Sequence, residues 1–203
     1  MTITEFRETA QGKFIVGFSD GSEMKLSLDI VADLSLFKGR ELSDEEFLHL
    51  QSSVKLSSCK ERAFRIIGAR PMSCKELYDR LLEKGETPEN AAACVELLLK
   101  LHYLDDAQYA GMIVRHYSSK NYGISKIKNE LYSRGISKSL WDEAISEMPE
   151  TDDTVYNLLC RKLKSSNPDK AELKKATDAL FRRGFSWDEI KAAVNKLNTE
   201  VSE

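Results

Sequence analysis

Three short stretches share one pattern: "EKGET" at 83–87, "SRGIS" at 133–137 and "RRGFS" at 182–186. Each has Gly, one further residue, then Ser or Thr, and a basic residue stands immediately before Gly85, Gly135 and Gly184. The glycines lie 50 and 49 residues apart, read from positions 85, 135 and 184. A nearly constant period of this size is the mark of repeated architecture. Gly just past a helix end takes the left-handed conformation without a Cβ clash. Ser or Thr two positions on is a good N-cap for a following helix. The pattern therefore predicts a helix that stops, a one-residue turn, and a helix that starts.

The flanks keep the same phase. Leu77, Ile127 and Ala176 stand eight residues before the glycines, and Leu81, Leu131 and Leu180 stand four before. Val95, Ile145 and Val194 stand ten after, and Leu98, Met148 and Leu197 thirteen after. Such steps trace one face of a helix. Ile136 with Trp141 and Phe185 with Ile190 are placed as staples across the N-caps, and Pro88 suits the first position of its helix. An earlier helix carries Ala63, Phe64 and Ile67 in the first copy and Ile113, Val114 and Tyr117 in the second. In the third, Val155, Tyr156, Leu158 and Leu159 are displaced by the longer connection "KSSNPDKAE". The unit is a three-helix module of about fifty residues. Capping boxes are expected at Ser73–Glu76, with Met72 and Leu77 as staple, at Ser186–Glu189 and at Ser43–Glu46; Asp105 is expected to cap before Gln108. The paired Asp105 and Asp106 are explained by their place at a helix start.

Ahead of the modules, Phe14, Val16 and Phe18 alternate, as do Met24, Leu26 and Leu28, around Asp20-Gly21. This predicts a β-hairpin with a three-residue loop that pairs Phe18 with Met24 and Val16 with Leu26. The polar stretch "QSSVKLSSC" is either a continuation of the helix begun at "LSDEEF" or a hinge. The expected fold is mainly α: an elongated tandem array of three three-helix repeats with a small N-terminal β-hairpin. Its divisions are 1–58 for the head, then 59–104, 105–150 and 151–200 for the repeats. Three bundles in a row reach roughly 60 Å from helix diameters.

Charge and cysteine usage narrow the function. Residues 1–58 hold 6 basic and 10 acidic side chains, whereas 113–138 hold six basic against Glu130 alone, and 160–183 hold eight against three. An acidic head thus precedes two basic patches. Cys59, Cys74, Cys94 and Cys160 form no C-x-x-C pair, and His49, His102 and His116 are scattered, so neither a metal site nor a disulfide is expected. No signal peptide or membrane-spanning run is present, which predicts a cytoplasmic protein. No Gly-rich phosphate loop, activated nucleophile or ligand cluster appears, so neither an enzyme nor a cofactor is expected. Three-helix units can also read DNA through a helix-turn-helix, or serve as a generic helical scaffold. The helices that would enter the groove carry Asp142, Glu143, Glu147, Asp188 and Glu189, a poor charge for that task.

Three stretches, "ARPMSCKELYDRLLEKG" at 69–85, "LHYLDDAQYAGMIVRHY" at 101–117 and "YGISKIKNELYSRGI" at 122–136, together resemble the RecX family of recombinase regulators. That family shows an Arg and a Ser before a first E-L, then L-D-D-x-x-[YF]-A, then a Gly and a basic residue leading into E-L-x-x-[KR]-G-[IV]. The matching residues are Arg70, Ser73, Glu76-Leu77, Leu104–Ala110, Gly123, Lys126 and Glu130–Ile136. The resemblance runs from about Asp20 to Leu197, and the acidic head is similar to the extension of longer members. It implies a modulator of the RecA recombinase, acting in DNA repair, recombination and the SOS response. Such a protein binds as a monomer in the groove of the RecA–DNA filament and restrains ATP hydrolysis, strand exchange and coprotease activity. It is not an enzyme and needs no cofactor. Contact with DNA itself would be weak and sequence-blind. The basic face expected to meet the partner comprises Arg65, Arg70, Arg115, Lys120, Lys126, Lys128, Arg134, Arg161, Lys162, Arg182 and Arg183. Trp141 and Trp187 are read as core or staple residues.

Overall fold

The computed structural model of the protein describes residues 1–146, 148, 152–164 and 168–201. Glu147 and residues 165–167 of the long connection lie outside the described residues. The described residues are mostly helical, with a small N-terminal sheet. They divide into two compact units, one of residues 1–70 and 77–103, the other of residues 71–76 and 104–203.

In the first unit the hairpin has a third strand. β1 (Ile3–Glu8), β2 (Lys13–Phe18) and β3 (Glu23–Ser27) form an antiparallel sheet in that order. The β2–β3 loop is the three-residue one, Ser19-Asp20-Gly21, with Gly21 at φ +82° and the Phe18 amide donating to the Ser22 carbonyl at 2.8 Å. Val16 pairs with Met24 and Phe14 with Leu26, two positions away from the expected pairing of Phe18 with Met24. A shift of two preserves the side-chain parity, so the intended apolar face survives. That face joins Ile3, Val16, Phe18, Leu26, Ile30, Leu36, Leu42 and Leu50 in one core, with Phe47 edge-on to Phe18 at 5.2 Å. A short helix α1 (Leu28–Asp33), which the sequence pattern does not announce, follows β3 directly.

α2 (Asp44–Ile67) is a single helix of 24 residues, begun by the complete Ser43–Glu46 capping box. The polar stretch is thus its middle, not a hinge. Its second half packs on α4 (Pro88–Lys100) and carries the fully buried Cys59 and Ala63. Phe64 is 39% exposed and stacks edge-on with Tyr103. α3 (Cys74–Glu83) turns into α4 at Gly85.

The second unit holds α5 (Asp106–Ser119), α6 (Ile124–Ser133) and α7 (Trp141–Ser146), then α8 (Asp152–Lys162), α9 (Lys170–Arg182) and α10 (Trp187–Val201). One core gathers Tyr109, Ala110, Ile113, Val114, Ile127, Leu131, Ile136 and Ala144. A second gathers Val155, Leu159, Ala176, Leu180, Phe185, Ile190, Ala193 and Leu197.

The three glycine turns share one construction. Gly85, Gly135 and Gly184 have φ of +84°, +71° and +90°. In each, the residue after Gly donates back to the residue four before Gly: Glu86 to Leu81 at 3.1 Å, Ile136 to Leu131 at 3.0 Å, Phe185 to Leu180 at 3.4 Å. The Gly amide closes the inner bond, to Leu82, Tyr132 and Phe181. These are Schellman motifs, and the Ile136–Leu131 and Phe185–Leu180 pairs supply the usual apolar contact. Beyond the turn, the buried row is nine residues on (Cys94, Ala144, Ala193), not ten, where Val95, Ile145 and Val194 are only half-buried. The small residues at position nine let the second helix approach closely, and this displaces the larger ones to the flank. The caps at Thr87, Asp105, Ser73 and Ser186 form as expected. Ser137 does not cap; a 3-10 turn at Lys138–Leu140 intervenes before α7, and Trp141 donates to the Ile136 carbonyl at 3.1 Å. Trp141 packs against its module's core as expected, but Trp187 is 59% exposed, contrary to the expectation of a core or staple residue, because its helix buries Ile190 and Ala193 instead.

Candidate partner-binding surface

Of the eleven cations on the expected binding face, six are exposed and form no ion pair among the described residues. They are Arg65, Lys120, Lys128, Arg161, Lys162 and Arg182. Arg70 and Arg115 are exposed too, and the Arg115 guanidinium folds back over Gly111. The remaining three are engaged by the chain itself. Lys126 pairs with Glu130 at 2.9 Å, one helical turn on.

Arg134 sits at the centre of a network. Its Nη1 donates to the Tyr109 hydroxyl at 3.0 Å and lies 3.4 Å from Glu76, and its Nη2 lies 3.5 Å from Glu130. Its main-chain carbonyl accepts from the buried Ser73 hydroxyl at 2.5 Å. Burial raises the Glu130 carboxyl, but hydrogen bonds from Lys126 and Tyr117, together with the charges of Lys126 and Arg134, more than reverse this and hold it below the usual carboxylate range. Burial pushes the Tyr117 hydroxyl up, and the Glu130 carboxylate beside it adds to the shift. Arg134 therefore organises the start of α3 and the end of α6.

Arg183 has the equivalent role in the third module. It donates from Nε to the Asn121 carbonyl at 3.1 Å and from Nη2 to the Lys120 carbonyl at 2.6 Å. Its guanidinium lies 4.7 Å from the centre of the Tyr122 ring. Two main-chain bonds run alongside: Gly123 to the Arg183 carbonyl at 2.9 Å, and Ser125 to the Gly184 carbonyl at 3.0 Å. The turn after α9 is thus clasped by the start of α6. In the same way, the turn after α6 receives Ser73 and lies against Lys75. At Gly135 and Gly184 the glycine thus carries both a left-handed backbone and a neighbour's close approach, whereas Gly85 has the left-handed backbone alone. The clasp also holds Lys120 and Arg182, both exposed, beside the junction of the second and third modules.

Among the described residues no group of three or more His, Cys, Asp or Glu could hold a metal ion, and no helix is long and apolar enough to cross a membrane. Burial pushes the Cys74 thiol up to about 12, with Asp106 adding to it, and raises Cys59 and Cys94. These three are poor nucleophiles.

Consecutive three-helix modules, each with a glycine turn between its last two helices and with exposed cations, define a helical-repeat protein. Three family models match in tandem: the first, second and third three-helix domains of RecX, over residues 59–98, 105–145 and 150–194. The chain belongs to the RecX family. It is 28% identical to regulatory protein RecX of Bacillus subtilis over 198 residues, covering 94% of this chain and 74% of that one. Over 206 residues it is 25% identical to the Streptococcus gordonii protein of the same name, covering 100% and 80%. Identity reaches 33% over 135 residues with the Xanthomonas campestris protein, covering 66% and 83%. A crystal structure of a regulatory protein RecX has the same fold, with a TM-score of 0.80 at 18% identity, covering 96% of this chain and 98% of that one. RecX from Lactobacillus salivarius superposes with a TM-score of 0.64 at 20% identity over 71% of this chain and 97% of that one.

Proposed function

We propose that this chain regulates the RecA recombinase by lying in the groove of the RecA–DNA filament and inhibiting its ATPase, strand-exchange and coprotease activities. Membership of the RecX family supports the class of partner. The observation that supports the mode of binding is the clasp at Arg183, which fixes the backbone that bears Lys120 in the second module against the turn that bears Arg182 in the third. A filament presents the same acidic surfaces and phosphates at a fixed repeat. A ligand whose own charges keep a set spacing gains from effective concentration without any single strong contact. By bridging neighbouring subunits in one geometry it favours that filament state over those required for turnover.

The test is the DNA-stimulated ATPase of the recombinase from the same bacterium, with the chain added at substoichiometric amounts. Inhibition is expected, and the triple variant Lys120→Glu, Lys128→Glu, Arg182→Glu is expected to weaken it with helicity intact. Unchanged inhibition by that variant refutes the charged-face mechanism. Tight binding of one particular DNA sequence at physiological salt would assign the chain instead to the sequence-specific DNA readers.

A further inference from the structure

A groove of about 420 Å³ runs along the outside of the third module, between α9 and α10. Each helix lines it at positions i, i+3 and i+4: Lys170, Leu173 and Lys174 from α9, and Trp187, Ile190 and Lys191 from α10. Ile190 is fully buried and forms the floor, Leu173 is half-buried on one wall, and the Trp187 indole is 59% exposed at one end. The three lysines are exposed, and none makes an ion pair among the described residues. No carboxylate lines the groove among those residues. This is a trough between two helices with an apolar base, an unfilled aromatic and a purely cationic rim.

We propose that this groove docks an acidic amphipathic helix of a partner protein. Two helices lying side by side offer the hole into which a third helix packs its apolar stripe, read as anchors at i, i+3, i+4 and i+7. Leu173, Trp187 and Val194 take those anchors above the Ile190 floor, and carboxylates on the flanks of the incoming helix meet Lys170, Lys174 and Lys191. Nucleic acid is the poorer occupant, since phosphates would leave Leu173 and Val194 facing polar backbone. A second copy of this chain is disfavoured by the rim, which would set three lysines against three. None of the lining residues takes part in the clasp at Arg183, and the site does not depend on the recombinase being the partner.

The experiment uses the full chain and two synthetic helical peptides of about 18 residues, roughly 27 Å long. Both carry the same leucine stripe; one is flanked by Glu and the other by Lys. Fluorescence anisotropy should show the Glu peptide binding at least about tenfold more tightly than the Lys peptide. Emission should shift to the blue as the Trp187 ring is covered, and Trp187→Phe should abolish that shift. In the triple variant Lys170→Glu, Lys174→Glu, Lys191→Glu the preference should invert, so that the Lys peptide binds better. The variant Lys120→Glu, Lys128→Glu, Arg182→Glu, which changes the net charge equally and leaves the groove lining intact, should keep the parent's preference, so an inversion there also overturns the proposal. The proposal is overturned if the Glu peptide fails to bind, or if the triple variant binds both peptides as the parent does. It is equally overturned if an oligonucleotide displaces the Glu peptide from the groove, or if sedimentation shows a dimer that Trp187→Ala dissolves.

Discussion

Replacing three glycines by alanine one at a time separates two physical reasons for having glycine. At Gly85 an added Cβ meets nothing within 4 Å, and only the backbone at φ +84° resists. That costs about 1–2 kcal/mol. At Gly123 the backbone is relaxed, with φ −78°, but an added Cβ would stand 2.3 Å from the Gly184 oxygen and 2.4 Å from the Phe185 nitrogen. Backbone cannot swing aside as a side chain can. Relief requires the start of α6 and the turn after α9 to separate, which breaks the bonds from Gly123 and Ser125 and slackens the Arg183 clasp. Neutral bonds contribute about 1 kcal/mol each and charge-assisted ones about 2, so losing two to four of them costs about 2–6 kcal/mol. At Gly184 both reasons apply, since φ is +90° and the Cβ would lie 2.3 Å from the Lys126 nitrogen. The expected order of damage is therefore Gly85→Ala least, Gly123→Ala next and Gly184→Ala greatest. For a chain of this size each kcal/mol lowers the melting midpoint by about 2–4 °C. Thermal denaturation by circular dichroism reads the order, and hydrogen exchange at the Gly123 and Ser125 amides reads the opening of the junction. If Gly123→Ala melts with the parent, or Gly85→Ala falls as far as Gly184→Ala, the close-approach explanation is wrong.

Other consequences are open to simple measurement. Glu130 is held below its ordinary range in the folded chain, so its stabilising contribution is complete above about pH 4.5 and is lost as the pH falls through the folded value; Glu130→Gln should flatten the acid side of a urea-stability profile. Arg183→Ala should cost about 2–4 kcal/mol in denaturant titration through its two charge-assisted bonds, whereas Arg182→Ala, exposed beside it, should cost under about 0.5 kcal/mol. Ser43→Ala removes a complete capping box and should lower stability by about 1 kcal/mol, with Ser43→Asp nearly restoring it. Iodoacetamide at pH 8 should leave Cys59, Cys74 and Cys94 unlabelled in the native chain, as read by mass spectrometry, and label them once urea is added.

What could be read from sequence was what depends on near neighbours. Ser43, Ser73 and Ser186 each find Glu three residues on, and all three reciprocal caps form. The glycine turns were legible because a Schellman motif is closed within six residues. β1 was not, since "ITEFRE" buries only Ile3 and is held to β2 through its backbone, which leaves little side-chain pattern. The double duty of Gly135 and Gly184 was also hidden, for the atoms that crowd them come from Lys75 and Lys126, some sixty residues earlier in the chain. On the surface, a basic residue before Gly suits the helix dipole whether or not it does anything else. Only the coordinates separate Arg134 and Arg183, which bind their own chain, from Lys128 and Arg182, which do not. Trp187 escaped because its helix turns Ile190 and Ala193 inward, a choice of face that two adjacent apolar stripes leave undecided.

α2 has one further consequence. Its 24 residues make a rod of about 36 Å. One end lies beneath the sheet through Leu50, and the other carries Cys59 and Ala63 into the first module. There is no joint between the two ends. A twist applied to the strands is delivered to the α4 packing as torque along a continuous axle, and cutting the strands away would strip the cover from Phe47, Leu50 and Val54 along one side of it.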